Sequence, residues 1–418
     1  MKCKICDKSD LVSFINLGNQ PNGNQLLTAK ESAYSFELNY GVCLECISVQ
    51  LIKQIPKENL FSNHPYLTGV SQPYVKQLEN FVKFIIDSYP ELNENPGALC
   101  IDIGCNDGTL LEILSSYNFE CIGVDPSETS YKYSKEKGFR IIQKFWDKEL
   151  ASSLKKESIK PNLIVSTASF YHMEDIKSWI SGVDLILNET GVVALQFVYL
   201  KNILSDTSID QFYHEHTFLH SIFSINKLLQ KTSLYIDNFK FVDVQGGSVI
   251  LLLKKGDRQL SSKVIDILQL EEKSEISKIE CYQDFNSRFQ KNRANFLSLL
   301  RIIQDSGGTI AGLGASLRGI SLLNYFDVTN ESIKYLYETN EEKIGKFTPK
   351  SNIEIIAQPK EDLWPKYMLV LSWTFKDYFL EKHKNYLLKG GNFIFPMPVL
   401  SMYGESSNLI NLIEENGM

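Results

Sequence analysis

Beginning at Ala98, the apolar run ALCIDIG breaks at a glycine and passes into a segment in which Leu110, Leu111 and Leu114 share one helical face. This periodicity predicts a strand, a glycine loop and a helix in succession. The run ECIGVD then predicts a second strand ending in Asp125. PNLIVSTA (161 to 168), TGVVALQFV (190 to 198), FKFVDV (239 to 244) and GGSVILLL (246 to 253) predict further strands, with helical patterns between them. Alternation of this kind implies an α/β fold built on a parallel, doubly wound sheet with an antiparallel final strand. Such sheets bind ligands at the carboxyl ends of their strands, near the reversal of strand order.

From Lys255 to Ser306 the pattern changes: Ile, Leu and Phe recur at helical spacing among Glu, Lys, Ser and Gln. One or two amphipathic helices linking domains are expected, with the charged face solvated. TIAGLGASLRG (309 to 319) repeats the strand, glycine loop and helix arrangement, and IKYLYETN and YMLVLSW predict later strands of a second Rossmann-like unit.

Composition fits this picture. A chain of 418 residues exceeds one ordinary core, and domains of about 100 to 200 residues predict two to four units. Hydrophobic residues at 43% and charged ones at 22% match a folded globular protein and exclude wholesale disorder. Against 43 Lys and Arg stand 50 Asp and Glu, and the net charge of −7 argues against a broad grip on nucleic acid or anionic lipid. The longest apolar runs, such as Val192 to Leu200, fall short of the roughly 20 residues of a membrane span. No apolar signal stretch follows Met1, so the cytoplasm is the expected compartment.

Four of the eight cysteines form two pairs, Cys3 with Cys6 in CKIC and Cys43 with Cys46 in CLEC. Two intervening residues let both sulfurs turn toward one point, and two such knuckles supply four thiolates for tetrahedral zinc. A reducing cytosol disfavours disulfides, and a redox-active CxxC needs only one pair. With four thiolates and no neighbouring His the site is closed, so the zinc is expected to be structural, stapling about 60 residues that could hardly build a core alone. Cys100, Cys105, Cys121 and Cys281 stand singly, and the first three lie in or beside apolar runs, where a small buried hydrophobe suffices.

The loop Asp102-Ile-Gly104-Cys-Asn-Asp-Gly108 departs from the dinucleotide GxGxxG pattern, its second glycine coming four positions after the first. Asp102 beside the loop would repel a pyrophosphate and suits a ligand carrying an ammonium group, which favours S-adenosylmethionine over NAD. Asp125 stands 21 residues after Gly104, the spacing at which an acid meets ribose hydroxyls. A nucleotide-binding sheet for some other ligand is the alternative.

Between the strand ending at Val198 and the next stands DQFYHEHTFLHS, where three of the six histidines, His214, His216 and His220, fall within seven residues. On an extended backbone Tyr213 and Glu215 would share one side and His214 and His216 the other; a helical turn would change these pairings. Zinc ligation, polar packing and acid–base chemistry compete as readings. The last has the right chemistry, because imidazole titrates near neutral pH and a neighbouring Glu or Tyr can tune it.

CxxC, CxxC followed by VQL, FSNHPYLTG, DIGCNDGTLLE, YHEH, GGS, GLGASLRGISLLNYF and FTPKSNIEI occur in this order over nearly the whole chain. DIGCNDG resembles motif I of class I methyltransferases, and the full series resembles the nucleotide-sugar C-methyltransferases that build branched deoxysugars. The resemblance implies a zinc-binding domain (1–62), a class I methyltransferase domain (63–255) and a C-terminal Rossmann-like domain with its helical linker (256–418). It implies methylation from S-adenosylmethionine, commonly at carbon 3 of a nucleotide-linked 4-keto-6-deoxy sugar. By it Gly104 and Gly108 shape the cofactor loop, Asp125 binds the ribose, His216 is the base, and Tyr213, His214 and Glu215 position substrate or stabilise the enolate.

Three departures bear on the substrate. Leu219 stands where members often have Tyr, and His64, with Tyr66, Thr68 and Ser71, occupies the usual Y-x-Y-x-S stretch. Tyr66 is a substrate-site candidate. Arg318 replaces the usual Lys of the second glycine loop and is expected to reach the diphosphate; FTPKS is expected to pack over that loop, with plain surface the alternative for its Lys350. Leu317 at the place of a third glycine weakens a dehydrogenase reading of this unit. O- or N-methylation of a sugar and a non-catalytic zinc-bearing sugar-nucleotide binder remain the rival functions. No coiled-coil repeat sets an oligomeric state.

Overall fold

The computed structural model describes residues 1–28, 32–62 and 67–415. Three strands open the chain, β1 (Val12–Pro21), β2 (Ser35–Cys43) and β3 (Ser48–Leu51). The middle carries β4 (Leu99–Ile103), β5 (Glu120–Val124), β6 (Arg140–Ile142), β7 (Leu163–Thr167), β8 (Val192–Val198), β9 (Phe218–His220), β10 (Leu234–Val242) and β11 (Ser248–Lys255). The last third carries β12 (Ile310–Leu313), β13 (Tyr335–Glu338), β14 (Glu354–Ala357), β15 (Tyr367–Val370), β16 (Asn392–Phe395) and β17 (Ser401–Gly404). Among the described residues no helix is long and apolar enough to cross a membrane.

Two compact units result. The first comprises Met1–Val12, Gly41–Asn202 and Glu215–Ile279, and the second Ser13–Tyr40, Ile203–His214 and Glu280–Met418.

A seven-stranded sheet in the order β10-β11-β8-β7-β4-β5-β6 dominates the first unit. Its strands from β4 to β8 pair in parallel, and β11 and then β10 add antiparallel. Only β11 runs against the other strands, because β10 reverses direction once more, so the sheet has the single antiparallel final strand that the sequence predicts. Every residue of β8 is buried, as expected of a parallel strand covered on both faces. The helix Thr109–Ser116 turns Leu110, Leu111 and Leu114 onto Cys100, Val82 and Ile85 in this core, and Cys105 and Cys121 are buried with them. Because β6 leads back to β7 on the other side of β4, the strand order reverses between β4 and β7, which opens a crevice at their carboxyl ends. In the same unit β3 runs antiparallel to β9, pairing Ser48 with His220, Val49 with Leu219 and Gln50 with Phe218.

The second unit holds a sheet in the order β14-β13-β12-β15-β16-β17, parallel except for β17. The expected linker resolves into two helices, Ser262–Lys273 and Ile279–Asp305. The longer one buries Tyr282, Phe285, Phe289, Phe296, Leu299, Leu300 and Ile303, the spacing that periodicity predicts.

Candidate functional site

Gly104 leaves β4 at φ +85, and a Cβ there would lie 2.4 Å from Ser169 Oγ and 2.7 Å from Ser169 Cβ. Both the left-handed backbone and the close approach demand glycine. Ser169 follows β7, so the two sides of the strand-order reversal meet at this point. Asp125, at the end of β5, accepts hydrogen bonds from the Asn106 amide at 3.0 Å and the Ser127 amide at 2.9 Å, tying the glycine loop to the next strand. Gly108, at φ +78, is the N-cap of the helix Thr109–Ser116.

Asp102 is 1% exposed, and its Oδ1 has no hydrogen-bond partner. Burial, with the Asp125 charge nearby, holds its carboxyl well above the ordinary carboxylate range. An orphaned buried carboxyl is costly, and a cationic ligand would restore its ionised form. Asp102, the Gly104 turn and Asp125 thus fit S-adenosylmethionine, whose amino-acid end carries an ammonium group and whose ribose offers two hydroxyls.

The loop also holds the backbone of Thr68 and Gly69, within the stretch that the sequence singles out. Asn106 Oδ1 accepts from the Thr68 amide at 2.8 Å and Asp107 Oδ2 from the Gly69 amide at 2.7 Å, while Asp107 Oδ1 accepts from Thr109. Gly69 sits so close that a Cβ would come within 2.8 Å of Thr109 Oγ1.

Beyond Ser169 a short 3-10 turn, Phe170–His172, presents two aromatic side chains. His216 stacks on His172 with ring centroids 5.3 Å apart, and Tyr171 meets His216 edge-on at 4.6 Å. Phe61 stacks on His172 at 5.3 Å. Thr217 fixes the backbone beside His216, its Oγ1 lying 2.9 and 2.8 Å from the carbonyls of Tyr171 and Met173. His216 itself is 2% exposed. His172 is the side chain that sequence reasoning missed, since FYH carries no motif and stands 44 positions before its partner in the chain.

Of the two backbones considered for YHEH the extended one does not occur, because His214 and Glu215 form a turn. The boundary between the compact units falls at the same place. In the second unit Tyr40 Oη donates to the Tyr213 carbonyl at 2.7 Å, and His214 Nε2 lies 3.2 Å from the Phe36 carbonyl. In the first unit Glu215 is buried, and its carbonyl accepts from the Thr217 amide at 3.2 Å. His220 lies among Phe170, Phe197 and Phe218, where burial pushes its imidazole down to about 3. Among the described residues, His214, His216 and His220 form no metal-ligating group.

The cysteine quartet does form one. The Sγ atoms of Cys3, Cys6, Cys43 and Cys46 all lie within 4.8 Å of one another, with Cys3–Cys46 and Cys6–Cys43 separations of 3.6 Å. Four thiolates about 2.3 Å from a zinc ion stand roughly 3.8 Å apart along each tetrahedral edge, so the donor set fits the metal. Gln50 Nε2 donates to Cys3 Sγ at 3.0 Å, and the Ile5 and Cys6 amides approach the same sulfur at 3.4 and 3.5 Å.

Comparison with known proteins agrees with this geometry. Residues 3–61 match the family described as "Putative zinc binding domain", residues 74–237 the "Methyltransferase domain" and residues 243–398 the "C-methyltransferase C-terminal domain". The "C-methyltransferase NovU" of Streptomyces niveus is 25% identical over 415 residues, covering 98% of each chain. The chain is an S-adenosylmethionine-dependent C-methyltransferase. Among solved structures, the PH0226 protein of Pyrococcus horikoshii OT3 is similar over 48% of this C-methyltransferase and 98% of its own chain (16% identity, TM-score 0.36). The magnesium protoporphyrin IX methyltransferase of Synechocystis PCC 6803 is similar over 48% and 90% (16% identity, TM-score 0.34).

In the second unit of the C-methyltransferase, Arg318 is bound by Asp210, with Nη2 and Nε 2.6 and 2.9 Å from Oδ2, and Trp373 Nε1 donates to the same oxygen at 2.8 Å. Arg318 is 23% exposed and Asp210 2%, so the guanidinium is anchored with one edge open. Lys350 of FTPKS meets the end of a neighbouring helix. Its Nζ lies 2.9 Å from the Asn324 carbonyl and 3.0 Å from Asp327 Oδ1, at the carboxyl end of the helix Leu317–Tyr325, where a cation meets the negative pole. Tyr66 and His64 lie outside the described residues.

Replacing Gly104 with alanine is expected to destabilise the C-methyltransferase by about 1–3 kcal/mol, the cost of forcing a side chain into a left-handed position. Displacement of Ser169 should also weaken S-adenosylhomocysteine binding at least about tenfold. Thermal melts and calorimetric titration read the two effects separately, and unchanged affinity would contradict the loop assignment.

Proposed function

We propose that this C-methyltransferase methylates a nucleotide-linked 4-keto-6-deoxy sugar at carbon 3. The observation that carries this reading is His216, buried and stacked on His172 beside the turn that meets Gly104 across the strand-order reversal. Carbon can accept an electrophilic methyl group once a neighbouring ketone has acidified its C–H bond, and that step needs a base next to the cofactor crevice. His216 takes the proton. The electron pair of the C–H bond passes into the enolate, and S-adenosylmethionine held in the crevice would supply the electrophilic methyl group to its carbon. Tyr213, His214 and Glu215 place the acceptor or stabilise the enolate oxygen.

Asp102, Gly104, Gly108 and Asp125 hold the cofactor, and the four cysteines hold a structural zinc. Tyr66 contributes to the acceptor site; it stands two positions before Thr68, whose amide the cofactor loop binds. Arg318 contacts the diphosphate, and its anchoring by Asp210 would pre-orient the fork for a phosphate. Zinc binding belongs to residues 1–62, cofactor binding to 63–255 and acceptor enclosure to 256–418.

The test is incubation with a nucleoside-diphosphate 4-keto-6-deoxy sugar in deuterated water, first without cofactor and then with it. Exchange at carbon 3, followed by a C-linked methyl group in the product, is the expected result. A methyl group on oxygen or nitrogen, or no product from any 4-keto sugar nucleotide, overturns the reading. Calorimetric titration with S-adenosylhomocysteine checks the cofactor side, where Asp125→Ala should weaken binding at least about tenfold by losing a charge-assisted contact to the ribose and the tie to the Asn106 amide. NADH should not bind.

A further inference from the structure

Amphipathic patterning predicts a solvated charged face for the helix Ser262–Lys273, yet Glu271 on that helix is 1% exposed. Its carboxylate collects three donors. Tyr199 Oη donates to Oε1 at 2.6 Å, the Ile222 amide to Oε1 at 3.1 Å and the Phe223 amide to Oε2 at 2.5 Å. Burial raises the acid's pKa, and these hydrogen bonds work against that rise. A buried carboxylate survives only with such partners.

The chain positions of these partners are informative. Tyr199 directly follows β8, and its own amide binds the Gly247 carbonyl in the turn between β10 and β11. Ile222 begins the helix Ile222–Leu229, which Ser221 caps through the Ser224 amide. Between Tyr199 and Ile222 lie the 22 residues Leu200–Ser221, which include the whole YHEH segment. One carboxylate from a separate helix therefore joins the entry and the exit of the segment that carries His216. A loop closed at its base has fewer conformations open to it than one held at a single end.

We propose that Glu271 is a positioning residue, a clamp at the base of this segment that holds His216 in register with the acceptor carbon. The proposal rests on the reading of His216 as the base. Glu271 touches neither cofactor nor acceptor in this role and acts through the backbone from Ile222 back along β9 to Thr217 and His216. Small displacements of a reacting group are costly, with about a hundredfold in rate for an error near 1 Å.

Two variants test it in the full-length protein. Glu271→Gln puts an amide nitrogen against a backbone amide, so one of the three bonds must break. Tyr199→Phe removes only the entry side and leaves the capped helix intact, which keeps the test sound if the first variant folds poorly. The expected result is a kcat for methyl transfer at least about tenfold lower in Glu271→Gln and a smaller fall, about threefold or more, in Tyr199→Phe. KM for S-adenosylmethionine and affinity for S-adenosylhomocysteine should stay within about twofold of wild type in both, because the glycine loop is untouched. Amide hydrogen exchange over residues 215–223 should speed up at least about tenfold in Glu271→Gln.

A purely structural glutamate would lower the melting temperature and leave kcat per folded molecule unchanged, and kcat within twofold of wild type in both variants overturns the clamp. If wild-type protein turns over no keto sugar, the substrate reading has failed instead. The clamp is then judged on exchange alone, and unchanged protection over residues 215–223 overturns it.

Discussion

His216→Ala is expected to lose methyl transfer by at least about a hundredfold while binding S-adenosylhomocysteine as the wild type does, since general bases of this kind contribute roughly 10²–10⁴ in rate. The separation follows from the geometry. Gly104, Asp102 and Asp125 are placed by β4, β5 and the loop between them, with the Asn106 and Ser127 amides bound to the Asp125 carboxylate. The exchange of the carbon 3 proton in the absence of cofactor should fall by the same factor as the full reaction, because both need the proton removed. His216→Gln keeps a polar side chain of similar reach without a base and should be as inactive as the alanine variant. His172→Ala should lie between wild type and His216→Ala, since it removes the ring on which His216 stacks and leaves the base present. Loss of methyl transfer with full exchange would move the base elsewhere in the segment, to His214 or Tyr213.

The parts of this protein that could be read from sequence are those built by residues close together in the chain. Asp102, Gly104, Gly108 and Asp125 fall within 24 consecutive residues, as one strand, one loop, one helix and the next strand, and local periodicity suffices to place them. Two CxxC knuckles are similarly local, and convergence of the pairs follows from the tetrahedral demand of a metal. Partners fixed only by tertiary packing could not be read. His172 and His216 come from different connections of the sheet, Arg318 and Asp210 are 108 positions apart, and Glu271 meets Tyr199 across 72. At YHEH the choice was open for a different reason: period-two pairing holds only on an extended backbone, and the segment turns at His214 and Glu215. The amphipathic rule failed at Glu271 because a charged residue at a polar position becomes buried wherever another element supplies enough donors.

Cys43→Ser, or chelation of the wild type, is expected to abolish zinc binding and to inactivate the enzyme although no cysteine of the quartet stands near the cofactor loop in sequence. Structural zinc sites of this type contribute apparent free energies of about 10–16 kcal/mol, far above the loss expected of most single substitutions. The path to the active segment is short. Cys46 is followed at once by β3, whose residues pair with β9 from Ser48–His220 to Gln50–Phe218. At the ends of this ladder the Leu51 amide donates to the Thr217 carbonyl at 3.0 Å, and Ser221 Oγ donates to the Ile47 carbonyl at 2.8 Å. The zinc knuckle therefore holds the backbone directly next to His216. Loss of metal should release β3 from β9 and unfix the base while leaving β4, β5 and the glycine loop to bind cofactor. Metal analysis, cofactor calorimetry and methyl-transfer assays on one preparation distinguish the outcomes: the expected set is no zinc, retained S-adenosylhomocysteine binding and activity lowered at least about a hundredfold. Full activity without zinc would show that the β3–β9 ladder stands by itself, and full zinc in Cys43→Ser would remove that cysteine from the ligand set.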